Sequence, residues 1–346
     1  MRTLALVALF MLAACAGGSA PSSPSSAGVS PTPGAAASPS PLARDLTCRL
    51  PVAWAVQNGQ AIDTKAGFVT FPGGTLAEDP SAPAHSVFYD RAFSKWLPAW
   101  RTSVSADGRR YAYTEGNSYQ GTGGKLHVVD VTTGVDTVIY SGGTVYSVVD
   151  FAAEGIYLTG SVPEGYPRGL WLQDPAGGPA RLISSTVVAP AVGGGAAWGI
   201  DFNAADPSPG PGGMEGPRNR VLRLDLRSGA TTPWFYLPGA NIYPLGFDSS
   251  GSLFVTADFV SLPADPNGLN MRQLWLVASA TAATKLFTGQ SGTTSPSRLA
   301  AIDSHGVWFD SSYGAAGAAW LYKRGSIEMV ATVTVGYFTI AGGCIP

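Results

Sequence analysis

The acidic and basic side chains that could do chemistry in this sequence fall near the predicted ends of short strands. Four carboxylates lie near the ends of the second strands of a repeat described below: Glu115, Asp201, Asp258 and Asp310. A second set lies near the predicted starts of first strands: Arg101, Tyr146, Tyr243 and Arg298. Two converging carboxylates can hydrolyse a glycosidic bond. Strand-end carboxylates are more commonly solvated and the second set more commonly packs or caps, so we treat all eight as candidate binding residues.

The three histidines form no recognisable catalytic or metal site. His127 falls in a core position of the repeat, His85 stands alone in a loop, and His305 lies in a turn. The sequence has no Gly-x-Ser-x-Gly elbow, His-Glu-x-x-His motif, Cys-x-x-Cys pair or phosphate-binding loop. We therefore predict no catalytic residue, no metal ligand and no cofactor, and expect that the chain is not an enzyme.

The elements that position these residues follow from the composition. Charged residues make up 13% of the 346-residue chain, against about 25% in a typical soluble domain. Glycine (44) and proline (27) are abundant, and aromatic residues make up 10%. Coiled coils and long helical bundles need more charge, and 21 basic residues against 23 acidic ones exclude a basic nucleic-acid binder. Such a chain is typical of many short strands joined by turns.

A repeat organises residues 45–346. One half of each unit is a glycine turn that leads into an aromatic or apolar strand, with the turns at Gly67, Gly108, Gly155, Gly195, Gly251 and Gly306. The other half is an apolar strand before a polar turn, in which one packing position is held by Val87, His127, Trp171, Leu222, Trp275 and Trp320. Six units of about 50 residues match propeller blades. We predict an all-β, six-bladed β-propeller of four-stranded antiparallel blades over residues 45–346.

Residues 105–134 carry the clearest form of the repeat. They contain Ser-Ala-Asp-Gly, an aromatic strand with Tyr111 and Tyr113, and a strand from Leu126 to Asp130 before a Thr-Gly turn. This pattern resembles the WD40-like (PD40) repeat of TolB-type six-bladed propellers, with Ala106 in place of the usual proline. The resemblance implies a periplasmic or surface propeller that binds partners or small ligands without chemistry of its own.

The first 44 residues are predicted to be a leader and a tether. Arg2 precedes an apolar run from Leu4 to Leu12, which is shorter than the roughly 20 residues that span a bilayer and is typical of a signal peptide. The run ends in Leu-Ala-Ala-Cys15, which resembles the lipobox of bacterial lipoproteins. That resemblance implies a signal peptide over residues 1–14 and lipidation of Cys15. Residues 15–44, rich in proline, serine and alanine, are predicted to form a disordered tether.

The two other cysteines, Cys48 and Cys344, stand at the two ends of the repeat region. In an exported protein an even pair indicates a disulfide, although two unpaired buried thiols are the alternative. Terminal strands around residues 50–55 and 333–341 are expected to complete the ring, and a Cys48–Cys344 bond would lock it.

The longest connections are predicted to share one face of the propeller. We label the strands of a blade A to D from the channel outward. The B–C and D–A connections then lie on one face of the propeller, here called the B–C face. The A–B and C–D turns lie on the other face, here called the A–B face. The predicted long B–C connections are residues 72–85, 116–124, 161–169, 203–219, 261–272 and 311–318. Loops on a rigid scaffold usually carry binding residues, so the B–C face is the predicted binding face.

These features predict a lipid-anchored, extracytoplasmic propeller on the cell surface or the periplasmic side of a membrane. We expect a monomer that acts as a binding or scaffold module for a protein or small ligand of the cell envelope, without nucleic acid. The alternative is an extracytoplasmic hydrolase or lactonase acting on a sugar-like substrate. Convergence of three or more carboxylates, histidines or arginines in one pocket on the B–C face would favour that alternative.

Overall fold

The computed structural model describes residues 40–58, 61–117, 122–161, 167–201, 218–259, 271–290, 295–311 and 316–346. These residues form a six-bladed β-propeller, as predicted. The predicted signal peptide and residues 15–39 of the predicted tether, Cys15 included, lie outside the described residues. So do residues 118–121, 162–166, 203–217, 261–270 and 312–315 of the predicted long connections.

Four blades are built from consecutive antiparallel strands. Blade 3 comprises β9 (Tyr146–Ala152), β10 (Gly155–Ser161), β11 (Pro167–Gln173) and β12 (Arg181–Ser184), and blade 4 comprises β13 (Val188–Gly193), β14 (Ala196–Asp201), β15 (Arg220–Asp225) and β16 (Thr231–Tyr236). Blade 5 comprises β17 (Asn241–Phe247), β18 (Leu253–Phe259), β19 (Met271–Ser279) and β20 (Ala282–Gln290). Blade 6 comprises β21 (Arg298–Asp303), β22 (Gly306–Ser311), β23 (Gly317–Lys323) and β24 (Ser326–Val333).

Blade 1 closes the ring by joining the two ends of the folded region. Its outer strands are β1 (Arg49–Asn58), β2 (Ala61–Thr70) and β3 (Thr75–Glu78), and its innermost strand is β25 (Gly336–Ile340). Strand β25 pairs antiparallel with β1, and a disulfide joins Cys48 to Cys344 beside this pairing. The predicted disulfide is confirmed, and the closing strand is the C-terminal one.

Blade 2 departs from the four-stranded pattern. It contains β6 (Arg110–Asn117), β7 (Thr122–Asp130) and β8 (Asp136–Gly142), and its innermost position is taken by Val104, which bridges to Tyr111. A 3₁₀ turn, Arg101–Ser103, precedes Val104. The chain reaches this turn through an extra hairpin of β4 (Phe88–Asp90) and β5 (Lys95–Leu97).

The hydrophobic core lies between the blades. Five clusters of buried side chains each join two neighbouring blades, such as Trp198 with Ile242 between blades 4 and 5. The sixth cluster in the described part of the chain joins blade 1 to the extra hairpin through Trp96 and Tyr89. Because each blade is apolar on both faces, few positions are left for charged side chains, which explains the low charge content.

The first predicted unit was wrong in its details. Gly67 is not a turn but lies in the middle of β2, paired with both Val52 and Glu78. A Cβ at this position would lie 2.1 Å from the Ala77 carbonyl oxygen, so the glycine permits close strand approach. Val87 lies outside β4, and residues 72–85 contain the outer strand β3 rather than a B–C connection. The Val87–Asp90 segment has the sequence pattern of the third strand of a blade because it, too, ends in a polar turn.

The predicted boundary between tether and propeller also needs correction. Residues Pro41–Arg44 form a short helix, α1, and Ala43 is fully buried in the cluster between blades 6 and 1. The backbone N–H of Leu42 donates to Glu328 of β24. The last turn of the predicted tether is therefore part of the folded domain.

Candidate functional site

The four predicted carboxylates do not converge, because each pairs with a base of its own blade. The closest atoms of Glu115 and Lys125 are 3.2 Å apart, and Asp258 binds Arg272 through two hydrogen bonds of 2.6 and 2.7 Å. The other two pairs are Asp201 with Arg220 and Asp310 with Arg298. The described residues thus place these acids in separate ion pairs at strand ends rather than in one acid–base site.

Asp310 stabilises the closure of the ring and is not exposed at the mouth of the channel. Its side chain is fully buried and accepts hydrogen bonds from the Ile340 backbone N–H (2.9 Å) and the Thr339 hydroxyl (3.2 Å), both on β25. Arg298 binds the same carboxylate from β21. The carboxylate therefore connects blade 6 to the strand that closes the ring.

The two predicted tyrosines have different environments. Tyr146 is buried, with its ring 5.1 Å from that of Tyr140 and 5.5 Å from that of Trp171, and burial raises the pKa of its hydroxyl. It is a packing residue. Tyr243 on β17 keeps 40% of its surface exposed and remains available to a ligand.

A cavity of about 360 Å³ opens where blades 1 and 6 meet the segment that leads into blade 2. Its lining residues are Ala53, Trp54, Ala55, Thr64, Val87, Trp100, Arg298, Tyr337, Phe338 and Thr339. We call it the aromatic cavity. It lies at the start of β21 and of β25, and both strands begin at the B–C face. Of the eight predicted residues, Arg298 alone lines it.

Trp100 forms one wall of the aromatic cavity. Its side chain is 49% exposed, and the guanidinium of Arg298 lies 4.8 Å from the centre of its ring. This cation–π contact and the ion pair with Asp310 hold the guanidinium in place. An exposed indole beside a fixed cation is a suitable surface for a planar group that carries a negative charge.

Tyr337 also lines the aromatic cavity and has an unfavourable backbone conformation. Its φ angle is +48°, in the left-handed region that non-glycine residues rarely adopt, and its side chain is 63% exposed. A left-handed non-glycine residue costs about 1–3 kcal/mol, and an exposed ring recovers little of that by burial. Strain of this kind is concentrated at ligand sites, so the ring of Tyr337 is a candidate binding group.

Arg101 lies near the channel but not in the aromatic cavity. It begins the 3₁₀ turn and lines a separate cavity beside the A–B turn of blade 2. Arg101 is exposed as a residue, but its guanidinium is closely surrounded by protein. This burial lowers the pKa of the guanidinium. The negative charge of Asp150 on β9 opposes the shift, and the positive charge of Arg298 adds to it.

Asp150 is the most perturbed carboxylate of the channel. Burial raises its pKa to about 6, the nearby charge of Arg101 opposes the shift, and Glu154 adds to it. No sequence motif pointed to this residue, because Asp150 lies inside an inner strand, β9, rather than at a turn.

His127 is buried and packed, as its position in the repeat predicts. Its ring stacks on Tyr113 with the centroids 4.4 Å apart, and Nδ1 lies 3.0 Å from Asp136. Among the described residues, no group of three or more His, Cys, Asp or Glu side chains could hold a metal ion. The same residues include no helix that is long and apolar enough to cross a membrane.

Comparisons with known proteins find no sequence relative and only distant structural likenesses. No known family model matches the chain, and no curated protein sequence matches it. The structure is similar to TolB from Acinetobacter baumannii, with 12% identity, a TM-score of 0.47, and coverage of 85% of this chain and 67% of that chain. It is also similar to a provisionally assigned 6-phosphogluconolactonase from Bacteroides uniformis (11%, TM-score 0.43, 84% and 97% covered). An oligogalacturonate lyase from Vibrio parahaemolyticus is similar too (12%, TM-score 0.41, 71% of each chain). Likenesses this distant carry no argument about function.

Trp100 and Tyr337, the two exposed aromatic rings of the cavity, were missed by sequence reasoning. They stand more than 200 residues apart and meet only because β25 closes the ring. One signal was present in the sequence: Trp100 directly precedes Arg101, one of the predicted binding residues.

Proposed function

We propose that this chain is a lipid-anchored, extracytoplasmic binding module that takes a small ligand into the aromatic cavity. The observation that carries the proposal is the pair of exposed rings, Trp100 and Tyr337, at the opening of a cavity on the B–C face. The strained backbone of Tyr337 supports the proposal, because the exposed ring of Tyr337 does not offset the cost of the strain by being buried.

The chemistry of the cavity favours a planar ligand with an anionic group. Its walls are apolar at Ala53, Ala55 and Phe338, and the exposed rings offer faces for stacking. Arg298 uses Nε and Nη2 on Asp310, which leaves the N–H groups of Nη1 as donors to a carboxylate or similar acceptor. The cavity volume of about 360 Å³ fits a small molecule rather than a folded partner.

Benzoate is a suitable probe because it has a planar ring and one carboxylate. We expect it to bind the wild-type protein in a calorimetric titration, and Trp100→Ala to weaken binding by about threefold to tenfold. Phe93→Ala is the matched control, since Phe93 is an exposed ring outside the cavity. Equal affinity of the Trp100 and Phe93 variants, or no binding to the wild type, contradicts the proposal.

The membrane anchor rests on the leader sequence alone, with Cys15 at the end of the lipobox-like run. Two signals give stable attachment where one acyl chain is marginal, so a multiply acylated cysteine suits a permanent anchor. In a bacterial host, a clickable fatty acid should label the wild type. Cys15→Ser should abolish labelling and release the protein from the membrane fraction. Labelling of the Cys15→Ser variant would refute the anchor.

One observation favours the alternative function, a hydrolase or lactonase for a sugar-like substrate. Asp150, with its pKa raised to about 6 beside Arg101, is suited to general acid–base work near neutral pH. A panel of glycosides and lactones tests this. Turnover that Asp150→Asn abolishes, with the fold unchanged, would establish the enzyme in place of the binding module.

A further inference from the structure

The extra hairpin ends in an exposed turn that the proposed ligand site does not use. Residues Arg91–Ser94 form this hairpin turn between β4 and β5. Asp90, which ends β4, packs against Gly108 in the A–B turn of blade 2, where a Cβ would lie 2.7 Å from Asp90 Oδ2. The Lys95 ammonium, which begins β5, donates to the Val131 carbonyl oxygen in the C–D turn of the same blade (2.9 Å). Both contacts place the hairpin turn on the A–B face.

Two apolar side chains are exposed in this part of the A–B face. Phe93 in the hairpin turn is 38% exposed, and Val135 is 59% exposed. Val135 belongs to the C–D turn of blade 2, where its carbonyl oxygen accepts a hydrogen bond from the Asp130 backbone N–H (3.0 Å). This is the turn to which Lys95 is bonded. The hairpin turn and the C–D turn thus form a small apolar surface that the described residues leave partly uncovered.

Basic side chains surround this apolar surface. Arg91 and Lys95 belong to the hairpin, Arg109 and Arg110 lie at the A–B turn of blade 2, and all four residues are exposed. Three carboxylates offset part of this charge, each of them hydrogen-bonded within its own turn: Asp90, Asp107 and Asp130. The basic groups outnumber the acidic ones by one, so we expect only a weak attraction to an anionic surface.

The chain enters the folded domain on the same face. Helix α1 leads to Cys48, whose disulfide partner Cys344 donates its backbone N–H to Asp303 at the A–B turn of blade 6 (2.6 Å). The proposed anchor at Cys15 is therefore attached to the A–B side of the propeller. A flexible coil of the 24 residues between Cys15 and Ser40 would span about 25–30 Å. Strand β1 alone is about 33 Å long, so contact of the B–C face with the membrane would require this segment to extend along the whole height of the domain.

We propose that the hairpin turn and the C–D turn of blade 2 dock on the lipid bilayer, with Phe93 and Val135 in the headgroup region and the basic groups on lipid phosphates. This inference rests on the proposed membrane anchor at Cys15. An apolar surface of this size with little net charge binds a bilayer weakly by itself. The anchor holds it at a high effective concentration beside the membrane, so a weak contact is sufficient. Docking on the A–B face turns the aromatic cavity, which opens on the B–C face, away from the membrane.

The test couples the chain from residue 15 onward to a maleimide lipid through Cys15, since the other two of its three cysteines are disulfide-bonded. The vesicles contain phosphatidylcholine, about 30% phosphatidylglycerol and a lipid with a doxyl quencher near its headgroup. Phe93→Trp should lose more tryptophan emission to the quencher than the wild type does, because the added indole contacts lipid. Tyr243→Trp is the matched control: Tyr243 is 40% exposed but lies on the B–C face, so this variant should behave as the wild type.

A second pair of variants tests the contribution of charge. In the Phe93→Trp protein, Arg91→Glu should reduce the docking equilibrium, measured from the quenched fraction, by about fivefold or more, whereas Arg91→Lys keeps the charge and should leave it nearly unchanged. Quenching of Phe93→Trp no greater than that of Tyr243→Trp, or equal quenching of the two Arg91 variants, would overturn the proposal. The maleimide lipid makes the attachment whether or not cells acylate Cys15. A failure of docking is therefore distinguishable from a failure of the anchor, and neither bears on benzoate binding.

Discussion

Breaking the Cys48–Cys344 disulfide should lower the stability of the whole ring. The bond joins residues separated by 296 positions, and the chain-entropy relation gives about 5–6 kcal/mol for a loop of this length. Native disulfides typically contribute about 2–5 kcal/mol, so we expect a loss of at least about 2 kcal/mol from the Cys48→Ala/Cys344→Ala variant. Both side chains are buried, and alanine therefore avoids leaving a buried hydroxyl.

Urea unfolding, followed by circular dichroism and tryptophan fluorescence, measures this loss. The control carries Cys15→Ser alone, and the test protein carries Cys15→Ser in addition to the two alanine substitutions. With a slope of about 3 kcal/mol per molar urea, the midpoint should fall by about 0.7–2 M. Reduction of the control with dithiothreitol should give the same fall without a change of side chain. A midpoint within about 0.2 M of the control would refute the idea that the bond locks the ring.

Three further perturbations test single parts of the structure. Asp310→Asn should cost about 2–3 kcal/mol in unfolding free energy, because the buried carboxylate bound by Arg298 and the Ile340 N–H loses its charge; no loss would remove its closure role. Asp150→Asn should stabilise the protein by up to about 3 kcal/mol at pH 7.5 and by almost nothing near pH 4. The Asp150 carboxyl keeps its proton up to about pH 6 in the folded state but only to about pH 4 in the unfolded state. The stability of the wild type therefore falls as pH rises from about 4 to 6, and a stability difference between the two proteins that does not depend on pH would contradict this. Tyr337→Gly should raise the unfolding free energy by about 1 kcal/mol and weaken benzoate binding, whereas lower stability would show that the backbone is not strained.

The fold was largely predictable because its signals are local. Each repeat combines a glycine turn with a strand that carries a recurring packing position. Five of the six residues predicted to hold that position lie on the third strand of their blade, opposite its second strand. Trp171, for example, lies opposite Leu158, and Trp320 lies opposite Phe309. The disulfide followed from the position of two cysteines at the ends of the repeat region. The extra hairpin was not predictable, because three residues before a polar turn carry the same local pattern as a blade strand.

The candidate site was harder to predict because it depends on ring closure. Neighbouring-strand pairs were within reach of sequence reasoning: Asp258 and Arg272 stand directly opposite each other once the register is known. The meeting of Trp100, Arg298 and Tyr337 requires three segments from blades 2, 6 and 1, and no periodicity relates them. Strain at Tyr337 is a property of the backbone that residue types do not reveal.

Direct observation of Trp100 tests the binding proposal most closely. The chain has nine tryptophans, and the indole N–H signal of Trp100 can be assigned in a ¹H–¹⁵N spectrum by its loss in Trp100→Phe. We predict that benzoate shifts this signal in a saturable way while those of the buried Trp198 and Trp308 stay in place. A saturable shift confined to other tryptophans, or none at all, would contradict ligand binding in the aromatic cavity.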